Sequence, residues 1–196
     1  MVSNSKAKPR IIVGISGASG VVYGKRTLEV LREIGVETHL VVSNAARVTM
    51  AAETDFGLRD LEALATVSHS NKDIGAACAS GSYKTLGMIV APCSVKSLAE
   101  IATGTTSNLL SRAADVTLKE RRRLVLLLRE TPLHLGHLRN MTAVTEAGAI
   151  IYPPVPAFYA KPQSLDDMVD HTIGRVLDLF DLDVGLAHRW QGVRSE

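Results

Sequence analysis

The stretch Arg10-Ile-Ile-Val-Gly-Ile-Ser-Gly-Ala-Ser-Gly-Val-Val-Tyr-Gly24 decides the fold. It joins a short apolar run to an amphipathic helical pattern through a turn rich in glycine and serine. Gly17 and Gly20 let the backbone approach a ligand closely, Ser16 and Ser19 supply hydroxyls, and the following helix would aim its N-terminal amides at an anion. Strand, glycine turn and helix in that order open a doubly wound α/β domain. Gly14, Gly17 and Gly20 give the spacing G-x-x-G-x-x-G, whereas the dinucleotide fingerprint is G-x-G-x-x-G. The turn therefore reads as an anion cradle with a spacing that counts against NAD.

Outward from the turn, β-rich runs at residues 11–15, 37–43, 86–91, 124–128 and 149–152 alternate with helical patterns at 23–34, 45–53, 95–102, 108–122, 134–147 and 165–182. Several runs lack in/out alternation, as strands buried on both faces do. The pattern predicts one three-layer α/β/α domain around a doubly wound, mostly parallel sheet of five strands. Residues 60–82 receive no assignment. Residues 1–9 read as a flexible N-terminal segment. Residues 183–196 read as a C-terminal tail that packs at the site or at a subunit interface. Pro153, Pro154, Pro156 and Pro162 punctuate the loop before the last helix.

With 196 residues, 46% of them apolar, and a net charge of +2, the chain can bury the core of a single domain and carries no electrostatic footprint for nucleic acid. The local basic run Lys119-Glu-Arg-Arg-Arg123 reads as a solvated helix end. The first ten residues hold no apolar signal core, and the longest aliphatic run, residues 124–128, is far short of the roughly 20 residues that span a bilayer. A soluble, cytoplasmic protein without a membrane partner is expected. Cys78 and Cys93 have no Cys-x-x-Cys spacing, and His134 and His137 lack the companions of a zinc set, so no metal is expected.

In an open α/β sheet, ligands bind beyond the carboxyl ends of the strands. There the sequence offers residues 16–20, Ser43-Asn44, Pro92-Cys93-Ser94, Arg129-Glu130 and the loop to Tyr159. Such donor-rich groups suit a phosphorylated, partly aromatic ligand. Ser43 stands where a nicotinamide enzyme carries the acid that holds the ribose diol, and a hydroxyl is no substitute for that charged acceptor. A mononucleotide such as FMN needs only one phosphate pocket and a flat slot.

The motifs Gly17-Ala-Ser-Gly20, Val42-Ser-Asn-Ala45, Glu53-Thr54, Ala91-Pro-Cys-Ser94, Arg112-Ala-Ala-Asp115, Leu118-Lys-Glu-Arg121, Arg129-Glu130, Pro156-Ala-Phe-Tyr159 and Arg189-Trp190 occur in order. In these the chain resembles the UbiX/Pad flavin prenyltransferases, and with Tyr159-Ala-Lys-Pro162 and Arg189-Trp-Gln-Gly192 it looks closest to the branch that accompanies hydroxyarylate and phenolic-acid decarboxylases. The resemblance implies a Rossmann-like flavoprotein with FMN held by Gly17, Ala18, Ser19, Ser43, Ser94, Val95, Lys96, Ser97 and Arg129. It implies that Lys119, Arg129, Tyr159 and Arg175 hold the phosphate of dimethylallyl phosphate, where fixed donors stabilise the charge of the leaving group without a metal. In the family reaction the prenyl group joins N5 and then C6 of reduced FMN. Glu53 and Glu130 match the carboxylates associated with proton handling, and Trp190 could flank an allylic cation. The resemblance further implies a homo-oligomer, commonly a dodecamer, that supplies prenylated FMN to a UbiD-type decarboxylase. Two other readings use the same flavin site: a decarboxylase of peptide cysteines from the homo-oligomeric flavoprotein group, and a noncatalytic FMN carrier or decarboxylase partner.

Overall fold

The computed structural model describes residues 8–190 and residue 192. Strands β1 (Arg10–Ile15), β2 (Glu37–Val42), β3 (Val67–Ser70), β4 (Gly87–Cys93), β5 (Arg123–Leu128) and β6 (Ile150–Ile151) form one sheet in the order β3-β2-β1-β4-β5-β6. Every pairing is parallel. The chain order reverses between β1 and β4, which opens a crevice at the carboxyl ends of those two strands. Helices α1 (Val21–Glu33), α2 (Asn44–Glu53), α3 (Leu58–Leu64) and α7 (Leu165–Asp178) bury their apolar residues against one face. Helices α4 (Val95–Ala102), α5 (Leu109–Lys119) and α6 (Leu135–Glu146) cover the other. The sheet is thus the core of a Rossmann-like, doubly wound α/β domain, as the strand pattern predicts.

The sheet has six strands where five are expected, and the difference lies in residues 60–82, which hold α3 and β3. Val67-Ser-His-Ser70 is a short, polar edge strand, exposed along most of its length, and offers no apolar run to read. Helix α5 stops at Lys119 instead of residue 122. Arg121 turns left-handed there (φ 56°), and the Arg122 guanidinium donates to the carbonyls of Gly81 and Tyr83 at 2.6 and 2.7 Å. Helix α7 ends at Asp178, short of residue 182, and β6 shortens to two residues. Residues 1–7 of the expected flexible segment, and residues 191 and 193–196 of the tail, lie outside the described residues. The described part of the tail runs back along α7, where Gly174 lies against Leu186 and Ala187. Among the described residues, no helix is long and apolar enough to cross a membrane.

Candidate functional site

Ser16 follows β1 at the reversal point and is completely buried. Its hydroxyl donates to the Pro92 carbonyl at 3.0 Å and accepts the Ser94 amide at 2.7 Å, so it ties the carboxyl ends of β1 and β4 together. That corrects the reading of Ser16 as a ligand donor: both of its capacities are engaged within the chain. Ser16→Ala leaves the buried Ser94 N–H unpartnered and is expected to lower stability by about 1–3 kcal/mol. Urea unfolding of the flavin-free protein measures it, and an unchanged midpoint would contradict the tie. Ser43 and Ser94 cap the neighbouring helices, accepting from the amides of Ala46 (3.1 Å) and Ser97 (3.2 Å). The N-termini of α2 and α4 therefore open onto the same crevice.

Gly17 lies between those helix ends. A Cβ there would collide with the side chain and backbone of Ala45, so only glycine allows the turn and α2 to close together. The crevice beyond has a volume of about 660 Å³ and is lined by Gly17, Ser43, Ser94, Lys96 and Ser97 among the expected residues. Arg47, Asn71, Lys72 and Asn108 line it too and escaped sequence reasoning. Asn71 and Lys72 follow β3, so the unread edge strand hid its own carboxyl-end loop. The Asn71 carboxamide accepts from the Leu110 amide at 3.0 Å, which fixes that loop to α5. A second cavity of about 350 Å³ adjoins the first at Gly17, Ala45, Ser94 and Lys96, and brings in Ala18, Ser19, Val95, Arg129 and Glu130. The Arg129 amide donates to the Cys93 carbonyl at 3.1 Å, and Glu130 Oε1 accepts the Thr131 amide at 3.0 Å. Burial pushes the Cys93 thiol up to about 12, so it is a packing group and no thiolate.

Glu53 is at the far end of α2, yet it reaches the glycine turn: its Oε2 accepts the Gly20 amide at 2.8 Å. Helix α2 consequently lies across the carboxyl edge instead of running down the sheet. This also revises the anion cradle. The α1 N-terminus, expected to face a phosphate, is faced by a carboxylate, and the donors left for an anion belong to α2, α4 and the loops around them.

Tyr159 and Trp190 form a separate group. Their rings meet edge to face with centroids 5.9 Å apart, and Tyr159 Oη is 3.3 Å from His171 Nε2. Arg175 is one turn beyond His171 on α7 and pairs with Asp178 at 2.6 Å; Asp178 also receives Arg189 at 3.0 Å. Tyr152, just after β6, adjoins this group: burial raises the pKa of its phenol, and Arg175 opposes the shift. His171 is the member that sequence reasoning missed. A histidine inside a helical pattern carries no signal of the loop and tail that fold over it.

Lys119 does not join either group within one chain. It ends α5 beside Gly81 and pairs with Glu120 at 2.6 Å, at the amino edge of the sheet where β5 begins. In a parallel sheet each helix carries the chain back to the amino edge, so the end of α5 and the end of β5 fall on opposite sides. The expected convergence of Lys119, Arg129, Tyr159 and Arg175 is thus not a property of the single chain.

The Flavoprotein family profile matches residues 1–177. The chain is 60% identical over 186 residues to the flavin prenyltransferase UbiX of Escherichia coli, covering 93% of this chain and 98% of the relative. The chain belongs to the UbiX flavin prenyltransferase family. The crystal structure of AnUbiX (PadA1) in complex with FMN and dimethylallyl pyrophosphate superposes on this UbiX-family chain with a TM-score of 0.94. It is 52% identical and covers 96% of this chain and 100% of that one. A dodecameric FMN-dependent UbiX-like decarboxylase from Escherichia coli superposes with a TM-score of 0.91, at 50% identity, over 93% of this chain and 100% of that one.

The crevice of this UbiX-family chain fits FMN. Gly17 lines the crevice with bare backbone where the turn packs against Ala45, and the 660 Å³ volume lies within the roughly 300–1,000 Å³ of small-ligand sites. Lys72, Lys96, Arg47 and the serine hydroxyls line it and would be the donors available to one phosphate group.

Proposed function

We propose that the chain transfers the dimethylallyl group of dimethylallyl phosphate to N5 and C6 of reduced FMN, and that the product serves a UbiD-type decarboxylase in the cytoplasm. The observation that carries this reading is the pair of adjoining cavities at one crevice, one a flavin-sized cleft and the other lined by Arg129 and Glu130. Reduced FMN, when bound, supplies the nucleophilic atoms. In the reading, Gly17, Ala18, Ser19, Ser43, Ser94, Val95, Lys96, Ser97 and Arg129 hold it. Lys119, Arg129, Tyr159 and Arg175 bind the donor phosphate, cationic and phenolic donors that stabilise negative charge as the allylic C–O bond ionises. Glu53 and Glu130 manage protons, and Trp190 covers the cationic carbon.

Because Lys119 sits at the opposite edge and Tyr159 stands apart with Arg175, this reading requires a site shared between copies of the chain. A dodecamer is the proposed assembly, supported by the dodecameric relative. The exposed Val155, Phe158 and Leu165, at 70%, 75% and 78% exposure, give the Tyr159 region an apolar surface for a neighbour. Anaerobic incubation of the protein with reduced FMN and dimethylallyl phosphate tests the reading. Mass spectrometry should show FMN carrying one five-carbon unit; unmodified FMN on folded, flavin-loaded protein would overturn it.

A further inference from the structure

His171 is 8% exposed, and both of its ring nitrogens have partners. Nδ1 lies 3.2 Å from the backbone amide of His188, which can only donate, so Nδ1 carries a lone pair. A neutral ring then holds its proton on Nε2, and the 3.3 Å contact to Tyr159 Oη runs from Nε2–H to the phenol oxygen. The phenol hydrogen must therefore point away from His171. This direction matters for an anion. Had Tyr159 donated to His171, it would turn lone pairs toward a phosphate; accepting from His171 leaves it a donor.

We propose that His171 is a positioning residue for the prenyl-donor site: its Nε2–H tautomer sets Tyr159 as a hydrogen-bond donor to the donor phosphate, and its Nδ1 anchors the tail segment that carries Trp190 against Tyr159. The proposal rests on the reading that Tyr159 binds that phosphate. Tyr159, Arg175 and His188 act directly on the imidazole, and Lys161, Asp167 and Asp170 line the same pocket from the loop and α7. Burial, then Arg175 and His188, hold its pKa below the ordinary value, which keeps the ring neutral. Protonation would put a hydrogen on Nδ1 facing the His188 N–H, two donors in opposition. The anchored tail is thus favoured above the ordinary imidazole value of roughly 6.5 and is released as pH falls below it.

The test compares full-length, FMN-loaded variants. His171→Leu removes both bonds and is expected to raise KM for dimethylallyl phosphate about 10-fold with flavin loading unchanged. His171→Gln can accept from His188 through its carbonyl and donate to Tyr159 through its amide, so it should restore KM and remove the acid limb of the kcat/KM profile. Trp190 is the single tryptophan of the chain, so its fluorescence reports the tail directly. Emission should change as wild-type protein is acidified below about pH 6.5, and less so in His171→Gln. Tyr159→Phe separates the two levels of the argument. If it leaves KM unchanged, the reading of Tyr159 fails and the proposal falls with it. If it raises KM while His171→Leu does not, the proposal alone is overturned. Should the leucine variant not fold, a wild-type acid limb and fluorescence response in His171→Gln would overturn it equally.

Discussion

Glu130→Gln is expected to lower the rate of prenyl transfer by about 100-fold or more, the scale of a lost proton-transfer group, while FMN loading is retained. Glu130 lines the smaller cavity with Arg129 and the Gly17-Ala-Ser19 turn, and the Thr131 amide orients its carboxylate. Glutamine has nearly the same shape, and its carbonyl can still accept from Thr131, so the loop should keep its course. What the amide cannot do is take up a proton. The variant therefore separates a chemical role from a structural one: a carboxylate that only pinned the loop would be replaced without loss. Single-turnover conversion of bound reduced FMN, followed by mass spectrometry, measures the effect. Wild-type turnover in this variant would remove Glu130 from the chemistry.

The fold was legible where burial is two-sided. Strands β1, β2, β4 and β5 are almost continuously buried, and their apolar runs mark them without any tertiary information. Strand β3 was invisible for the opposite reason. It pairs only with β2, at a polar edge, and its neighbour decides its conformation. Much of the crevice was legible as well, since a parallel sheet sends the residues that follow each strand to one edge. The same rule carried a signal that went unread. Lys119 ends a helix and Arg129 follows a strand, so the topology alone puts them on opposite sides. Glu53 is the exception, because α2 lies across the edge, and no local pattern announces that. The His171 contacts join a loop 12 residues before it and a tail 17 residues after it, neither at helical spacing, and only the folded chain displays them.

The glycine that governs the approach of helix to sheet lies beyond the turn, at Gly24. In the dinucleotide fingerprint the third glycine serves close helix–strand packing; here Gly20 caps α1 in a left-handed conformation (φ 101°), and the packing role falls to Gly24. A Cβ on Gly24 would run into the carbonyl oxygen of Ala91 and the side chain of Ile15. Ala91 belongs to the buried central strand β4, so its carbonyl cannot swing aside as a flexible side chain would. Gly24→Val is accordingly expected to lower stability by at least about 3 kcal/mol, the upper range for overpacking. Gly24→Ala should cost less, since a gain of about 1 kcal/mol in helix propensity offsets part of the clash. Gly35 is the control. It has the left-handed backbone (φ 74°) but open space around its Cβ position, so Gly35→Ala should cost only about 1–2 kcal/mol. Denaturant unfolding of the three variants ranks the two effects, and a Gly24→Val midpoint equal to wild type would refute the packing account. The consequence extends to the site. A displaced α1 drags Gly20, and with it the Glu53 hydrogen bond and the Gly17 contact with Ala45. Flavin affinity in Gly24→Val should therefore fall together with stability, although residue 24 touches neither cavity.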